Sequence, residues 1–130
     1  MGDWYDDQEA YIRALDLSAC GTEPLYTDTA NLLEVVVYQK KQLLLKDAKV
    51  QLCADRLVIE GDGRTMELPF PEIRAMACIA GHKLNIFHND KVYQLQGGRS
   101  FNALKYCNLY YRAKFIQEGH ADGEFQFLGL

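Results

Sequence analysis

The chain has 130 residues and a formal net charge of −4, with 48% hydrophobic, 25% charged and 12% aromatic residues and three prolines. That is one domain's worth of chain, able to bury roughly two thirds of its unfolded surface without a metal or disulfide staple, and the composition excludes wholesale disorder and fibrous repeats. Charge is unevenly placed: residues 1–34 carry eight acids against Arg13, residues 35–117 carry thirteen bases against seven acids, and residues 118–130 carry three acids and no base.

In chain order, Asp3 can cap a helix in which Trp4, Gln8, Tyr11, Ile12 and Leu15 form one stripe, so residues 3–17 read as a short amphipathic helix. Residues 18–29, with Gly21 and Pro24, show no sustained period and read as a linker. From Asn31 the choice turns β-branched. Residues 31–46 also support a helical stripe, but Val35-Val36-Val37 favours a strand over 32–38. Val50 and Leu52 alternate, as do Leu57 and Ile59 after an Ala54-Asp55 turn. Gly61-Asp62-Gly63 then closes a hairpin into Met66, Leu68 and Phe70. Residues 73–79 resume after Pro71, followed by Leu84 and Ile86, an Asn89-Asp90 turn, and Tyr93 and Leu95.

Gly97-Gly98 ends this series of seven or eight strands. Ser100 then offers an N-cap, and Phe101, Leu104, Cys107, Tyr111 and Phe115 share one face of a helix over 100–118 that stops at Gly119. Such a helix needs an apolar surface, which one open end of a bent antiparallel sheet supplies. The expected fold is therefore α+β: a bent antiparallel β-barrel closed by one C-terminal amphipathic helix, with a short N-terminal helix. The expected organisation is an N-terminal helix and linker over 1–30, the barrel and its helix over 31–118, and an apolar, acidic tail over 119–130. Phe125 and Phe127 make the tail apolar enough either to dock on its own domain or to pair with another chain.

The helix also carries Tyr106, Leu109, Tyr110 and Ile116 off its core face. Such a helix needs cover on two sides, either within the chain or from a partner, and in the second case Tyr106 and Tyr110 are the expected anchors. Lys40, Lys41, Lys46 and Lys49 are candidate contacts to anionic lipid.

Catalytic patterns are missing from the sequence. Three histidines are too scattered for a metal cluster, and no Gly-x-Ser-x-Gly elbow is present. Cys20, Cys53, Cys78 and Cys107 lack metal-ligand spacing and read as buried, reduced thiols. Gly97-Gly98-Arg99-Ser100 reads as a tight turn rather than an anion cradle. No cofactor, metal or nucleic-acid partner is expected. The longest apolar run is too short to cross a bilayer, and no signal pattern opens the chain, so a cytoplasmic location is expected.

The order of pieces resembles a known superfamily. Ala48-Lys49-Val50-Gln51-Leu52-Cys53-Ala54-Asp55-Arg56-Leu57-Val58-Ile59, then Leu68-Pro69-Phe70-Pro71-Glu72-Ile73, then Lys91-Val92-Tyr93-Gln94-Leu95 before a closing helix is similar to pleckstrin-homology-like domains, especially their GRAM and bacterial branches. The resemblance spans residues 30–118 and implies a non-catalytic module that binds a protein partner, a second copy, a neighbouring domain or a lipid headgroup. The headgroup-reading branch uses a Lys followed by Arg-x-Arg, and Leu43-Leu44-Leu45 stands in that place here. Tyr26-Thr27-Asp28-Thr29-Ala30-Asn31-Leu32 and Phe101-Asn102-Ala103-Leu104-Lys105-Tyr106 also resemble a domain found behind bacterial 1-acyl-glycerol-3-phosphate acyltransferases. That resemblance implies an accessory or membrane-docking role in phospholipid synthesis, peripheral to the inner face of the membrane. The enzyme's His-x-x-x-x-Asp motif is absent, since His82 meets Phe87 five positions on.

Overall fold

The computed structural model describes residues 26–36, 40–53 and 55–119. The N-terminal helix expected over 3–17, Cys20, His120, Phe125 and Phe127 lie outside them. Seven antiparallel strands, β1 (Tyr26–Val35), β2 (Lys41–Leu52), β3 (Arg56–Gly61), β4 (Arg64–Pro69), β5 (Ile73–Ala80), β6 (Lys83–His88) and β7 (Lys91–Gly97), are followed by one helix, α1 (Ala103–Gln117). They form a single curled sheet in the order β4-β3-β2-β1-β7-β6-β5, which leaves β4 and β5 as its edges.

Hairpin chemistry fixes the register. Asp62 and Gly63 take positive φ (49° and 71°) between β3 and β4, and Asn89 does so (54°) between β6 and β7. These are the backbone conformations that two-residue hairpins need and that Asp-Gly and Asn supply at little cost. Curvature comes from β2. Ala30 pairs with Ala48, Leu32 with Leu45 and Leu33 with Leu43, so β2 carries extra residues at two successive bulges. Asp47 sits in the first with φ 51°, its amide donating to Asn31 Oδ1 at 2.8 Å. Bulges add local twist and bend a strand, which lets a seven-stranded sheet wrap around a core.

That core is the inner face: Leu32, Leu45, Val50, Leu52, Leu57, Ile59, Leu68, Leu84, Ile86 and Leu95, joined by Phe101, Ala103, Tyr106, Cys107 and Tyr110 from the turn and the helix. β1 starts at Tyr26, so residues 26–30, expected in the linker, are its first half. The alternation there was hidden because Thr27, Asp28 and Thr29 occupy strand positions.

Two helix expectations also change. The cap is Asn102, whose Oδ1 accepts from the Leu104 amide at 3.2 Å, and not Ser100. The buried face is Ala103, Tyr106, Cys107, Tyr110 and Ala113, whereas Leu104, Tyr111 and Phe115 are half-buried. Ala103 and Ala113 let the backbone approach the sheet, while the tyrosine rings fill volume and send their hydroxyls to polar partners. Gly119, at φ 91°, lies just past the last turn, its amide donating to the Ile116 carbonyl at 3.0 Å.

Candidate binding surfaces

Among the described residues no group of three or more His, Cys, Asp or Glu side chains could hold a metal ion. His82 donates from Nδ1 to the Phe101 carbonyl at 3.1 Å, and His88 Nε2 lies 3.4 Å from Glu72 Oε1. The His82 ring ties its turn to the segment entering the helix. Cys53 and Cys107 are buried free thiols, but Cys78 is exposed, which corrects the expectation for that residue. Burial raises the Cys78 thiol above its ordinary pKa and pushes Cys107 up to about 12, so neither is an activated nucleophile.

The Gly97-Gly98 turn is closed on itself. The Gly97 amide donates to the His82 carbonyl at 2.9 Å, Phe101 to Gly98 at 3.1 Å and Ala103 to Gly81 at 3.0 Å. These three amides are spent on backbone carbonyls inside the protein.

The structure buries Tyr106, Leu109 and Tyr110 at 0%, 0% and 1% exposure, which leaves them little surface for the partner contact that was one of the two kinds of cover left open by the sequence. Tyr106 donates to Asp28 Oδ2 at 2.5 Å, and Tyr110 donates to the Ile73 carbonyl at 2.5 Å. Burial, the Asp28 hydrogen bond and the Asp28 charge raise the Tyr106 hydroxyl well above its ordinary pKa; burial, followed by the neighbouring Tyr111 and Glu118, pushes Tyr110 up to about 12. Asn108 and Arg112 are buried as well, whereas Lys114 and Gln117 are exposed. Ile116 is half-buried.

Lys40, Lys41, Lys46 and Lys49 are all exposed, but the register separates them. Lys41 opposes Val35 at the tip of the β1–β2 hairpin, whereas Lys49 lies between Thr29 and Glu60 in mid-sheet. Eight residues of strand put roughly 25 Å between them. Lys40 and Lys41 instead neighbour Val36 and Leu43, exposed at 44% and 52%. Beside the β1–β2 and β3–β4 hairpins an apolar cavity of about 140 Å³ is lined by Leu32, Leu44, Leu45 and Met66, with Arg64 and Thr65 at its rim. Arg64 donates from Nη2 to the Leu44 carbonyl at 3.0 Å. Leucines thus fill the place where a headgroup-reading site would gather cations.

A larger cleft of about 470 Å³ opens at the far end of α1. Its floor is Phe70, Ile73 and Tyr110, with Phe70 meeting Tyr110 edge-on at 5.4 Å. Arg74 from β5 and Lys114 from the last turn of α1 stand at its rim, both exposed. The sequence reading did not single out this site, because its parts lie some forty residues apart. Its one early signal was Pro69-Phe70-Pro71, an aromatic held in a turn, which the structure shows as a single 3₁₀ turn (Phe70–Glu72).

The edge of β5 beside this cleft is blocked. Tyr111 donates its hydroxyl to the Met76 carbonyl at 2.9 Å and accepts from the Met76 amide at 3.1 Å, while Tyr110 takes the Ile73 carbonyl. Helix tyrosines therefore occupy backbone groups that an edge strand would otherwise offer to an added strand.

No family profile and no curated protein matches the chain. Solved structures do. The N-terminal PH domain of human ARAP2 superposes with a TM-score of 0.58 at 8% identity, covering 87% of this chain and 98% of that one. The linker and DH/PH domains of p115-RhoGEF align at a TM-score of 0.44 and 14% identity over 92% of this chain and 34% of that one. The first likeness agrees with the strand order, the curled sheet and the single C-terminal helix, and the chain therefore has a pleckstrin-homology-like fold.

Proposed function

We propose that the chain is a non-catalytic PH-like binding module for a protein partner, whether a separate chain, a second copy or a neighbouring domain. The observation that carries this reading is the cleft at the end of α1, an apolar floor flanked by Arg74 and Lys114. Its volume of about 470 Å³ lies within the range of ligand-binding clefts, roughly 300–1,000 Å³. The test is selection of displayed random peptides on the purified chain. A family of related sequences is expected, and its binding should fall on Arg74→Glu with the thermal midpoint unchanged. If repeated rounds enrich no family, the reading is wrong.

A second reading is docking on an anionic membrane through the β1–β2 hairpin. It is favoured by the pairing of exposed Val36 and Leu43 with Lys40 and Lys41. Lys46 and Lys49 are too far along β2 to join that contact. The acyltransferase-associated role belongs to this reading. The two segments that carry that resemblance meet in the structure, where Lys105 Nζ lies 3.4 Å from Asp28 Oδ2 and 3.9 Å from the Tyr26 ring centroid. Packing is thus sufficient reason for them to occur together. No helix among the described residues is long and apolar enough to cross a membrane. Sedimentation with phosphatidic-acid vesicles is expected to show binding that falls by about thirtyfold or more on joint Lys40→Glu and Lys41→Glu substitution, given about 1 kcal/mol per surface lysine and the added repulsion of two carboxylates. Equal sedimentation of the variant would remove this reading.

A further inference from the structure

We infer that the cleft at the end of α1 recognises a short peptide segment in which an acidic residue adjoins an aromatic one. This rests on the reading of the chain as a protein-binding module and adds the chemistry of the partner.

Among the described residues the positive charge at the cleft is not balanced. Arg74 makes no ion pair or hydrogen bond with the described residues, and the contact the structure gives Lys114 is the Tyr110 ring, 5.9 Å from Nζ. Of the nearby acids among the described residues, Glu72 lies 3.4 Å from His88, which leaves Glu118 on the rim as the one described carboxylate that lines the cleft. Two cations against one acid favour an anionic occupant, and a guanidinium at the rim suits a carboxylate in particular.

The floor sets the second requirement. Phe70 and Tyr110 meet edge-on, and Ile73 completes an apolar base. An aromatic side chain laid there gains ring contacts as well as apolar burial. A bilayer is a poor match for this place, because the site is a concave notch between the 3₁₀ turn and the helix. Exposed apolar and basic residues adjoin one another instead at Val36, Lys40, Lys41 and Leu43.

The sealed edge of β5 sets the third. With the Ile73 carbonyl and both Met76 backbone groups taken by tyrosine hydroxyls, the peptide cannot bind here by extending the sheet. Recognition falls to side chains. A few residues suffice, and specificity comes from the acid and the aromatic ring.

The test is fluorescence polarisation on the full chain with a labelled hexapeptide alternating Glu and Phe, beside one counterpart with Lys for Glu and another with Ser for Phe. Saturable binding of the Glu-Phe peptide is expected, with each counterpart weaker by about tenfold, the loss that removing a charge-assisted or apolar contact produces. Arg74→Glu and Lys114→Glu should each weaken it several-fold, while Lys83→Glu, on β6 outside the cleft, should leave it unchanged. The inference is overturned by equal affinity for the Lys counterpart, by an equal loss on Lys83→Glu, or by no saturable binding. Failure here with a different family from the peptide selection would remove the acidic-aromatic specificity and keep the module. Failure of both would remove the module itself.

Discussion

Replacing Gly97 with alanine is expected to cost about 3 kcal/mol of folding stability, while the same change at Gly98 should stay within about 0.5 kcal/mol. A Cβ at position 97 would stand 2.2 Å from Phe101 Cβ and 2.4 Å from its Cγ, far inside van der Waals contact. Neither side can yield. Phe101 is 1% exposed and packs on Tyr106 with ring centroids 5.0 Å apart, so moving it disturbs the core. The Gly97 backbone is held by its amide bond to the His82 carbonyl and by pairing with Ala30. At Gly98 a Cβ meets nothing within 4 Å and the φ is not positive, so alanine there only narrows the unfolded ensemble. Urea unfolding of both variants checks the pair. Equal midpoints would mean that the strand-to-helix turn relaxes freely, contrary to the packing around Phe101.

The same turn shows why parts of this fold were legible in the sequence. Gly61-Asp62-Gly63 and Asn89-Asp90 announced their hairpins because the conformations they need are local properties of those residues. The alternations of Val50 with Leu52 and Leu57 with Ile59 marked the inner face for a similar reason: burial along a strand repeats every second residue. What failed depended on distant residues. Asp28 looked like a linker residue, and only the Tyr106 hydroxyl and Lys105, some 78 positions on, explain a carboxylate in the first strand. The two bulges in β2 left no periodic trace, yet they carry the curvature, and the length of β2 separates Lys41 from Lys49. A count of lysines along the chain therefore suggested a cluster that the register disperses. The cleft at the end of α1 needs Phe70, Arg74 and Lys114 together, and no spacing in the sequence connects them.

Tyr110 carries the second large prediction. On sequence grounds an alanine there should abolish association and leave the fold intact; on structural grounds it should cost about 4 kcal/mol of stability. The ring is 1% exposed, touches Phe70 edge-on at 5.4 Å and Tyr111 at 4.8 Å, and its hydroxyl satisfies the buried Ile73 carbonyl. Alanine removes the ring, leaves a cavity and strands that carbonyl. Phenylalanine keeps the volume and forfeits only the hydrogen bond, a loss of about 1–2 kcal/mol. Denaturant titrations of the two variants separate the roles, since a partner-facing tyrosine would give small and similar losses for both. The ratio also bears on the cleft, because Tyr110 is its floor. A variant that unfolds cannot report on binding, whereas Lys114→Glu changes the rim and spares the core. Peptide binding lost in Lys114→Glu at unchanged stability, beside collapse in Tyr110→Ala, would assign the tyrosine to holding the cleft open and the lysine to binding at its rim.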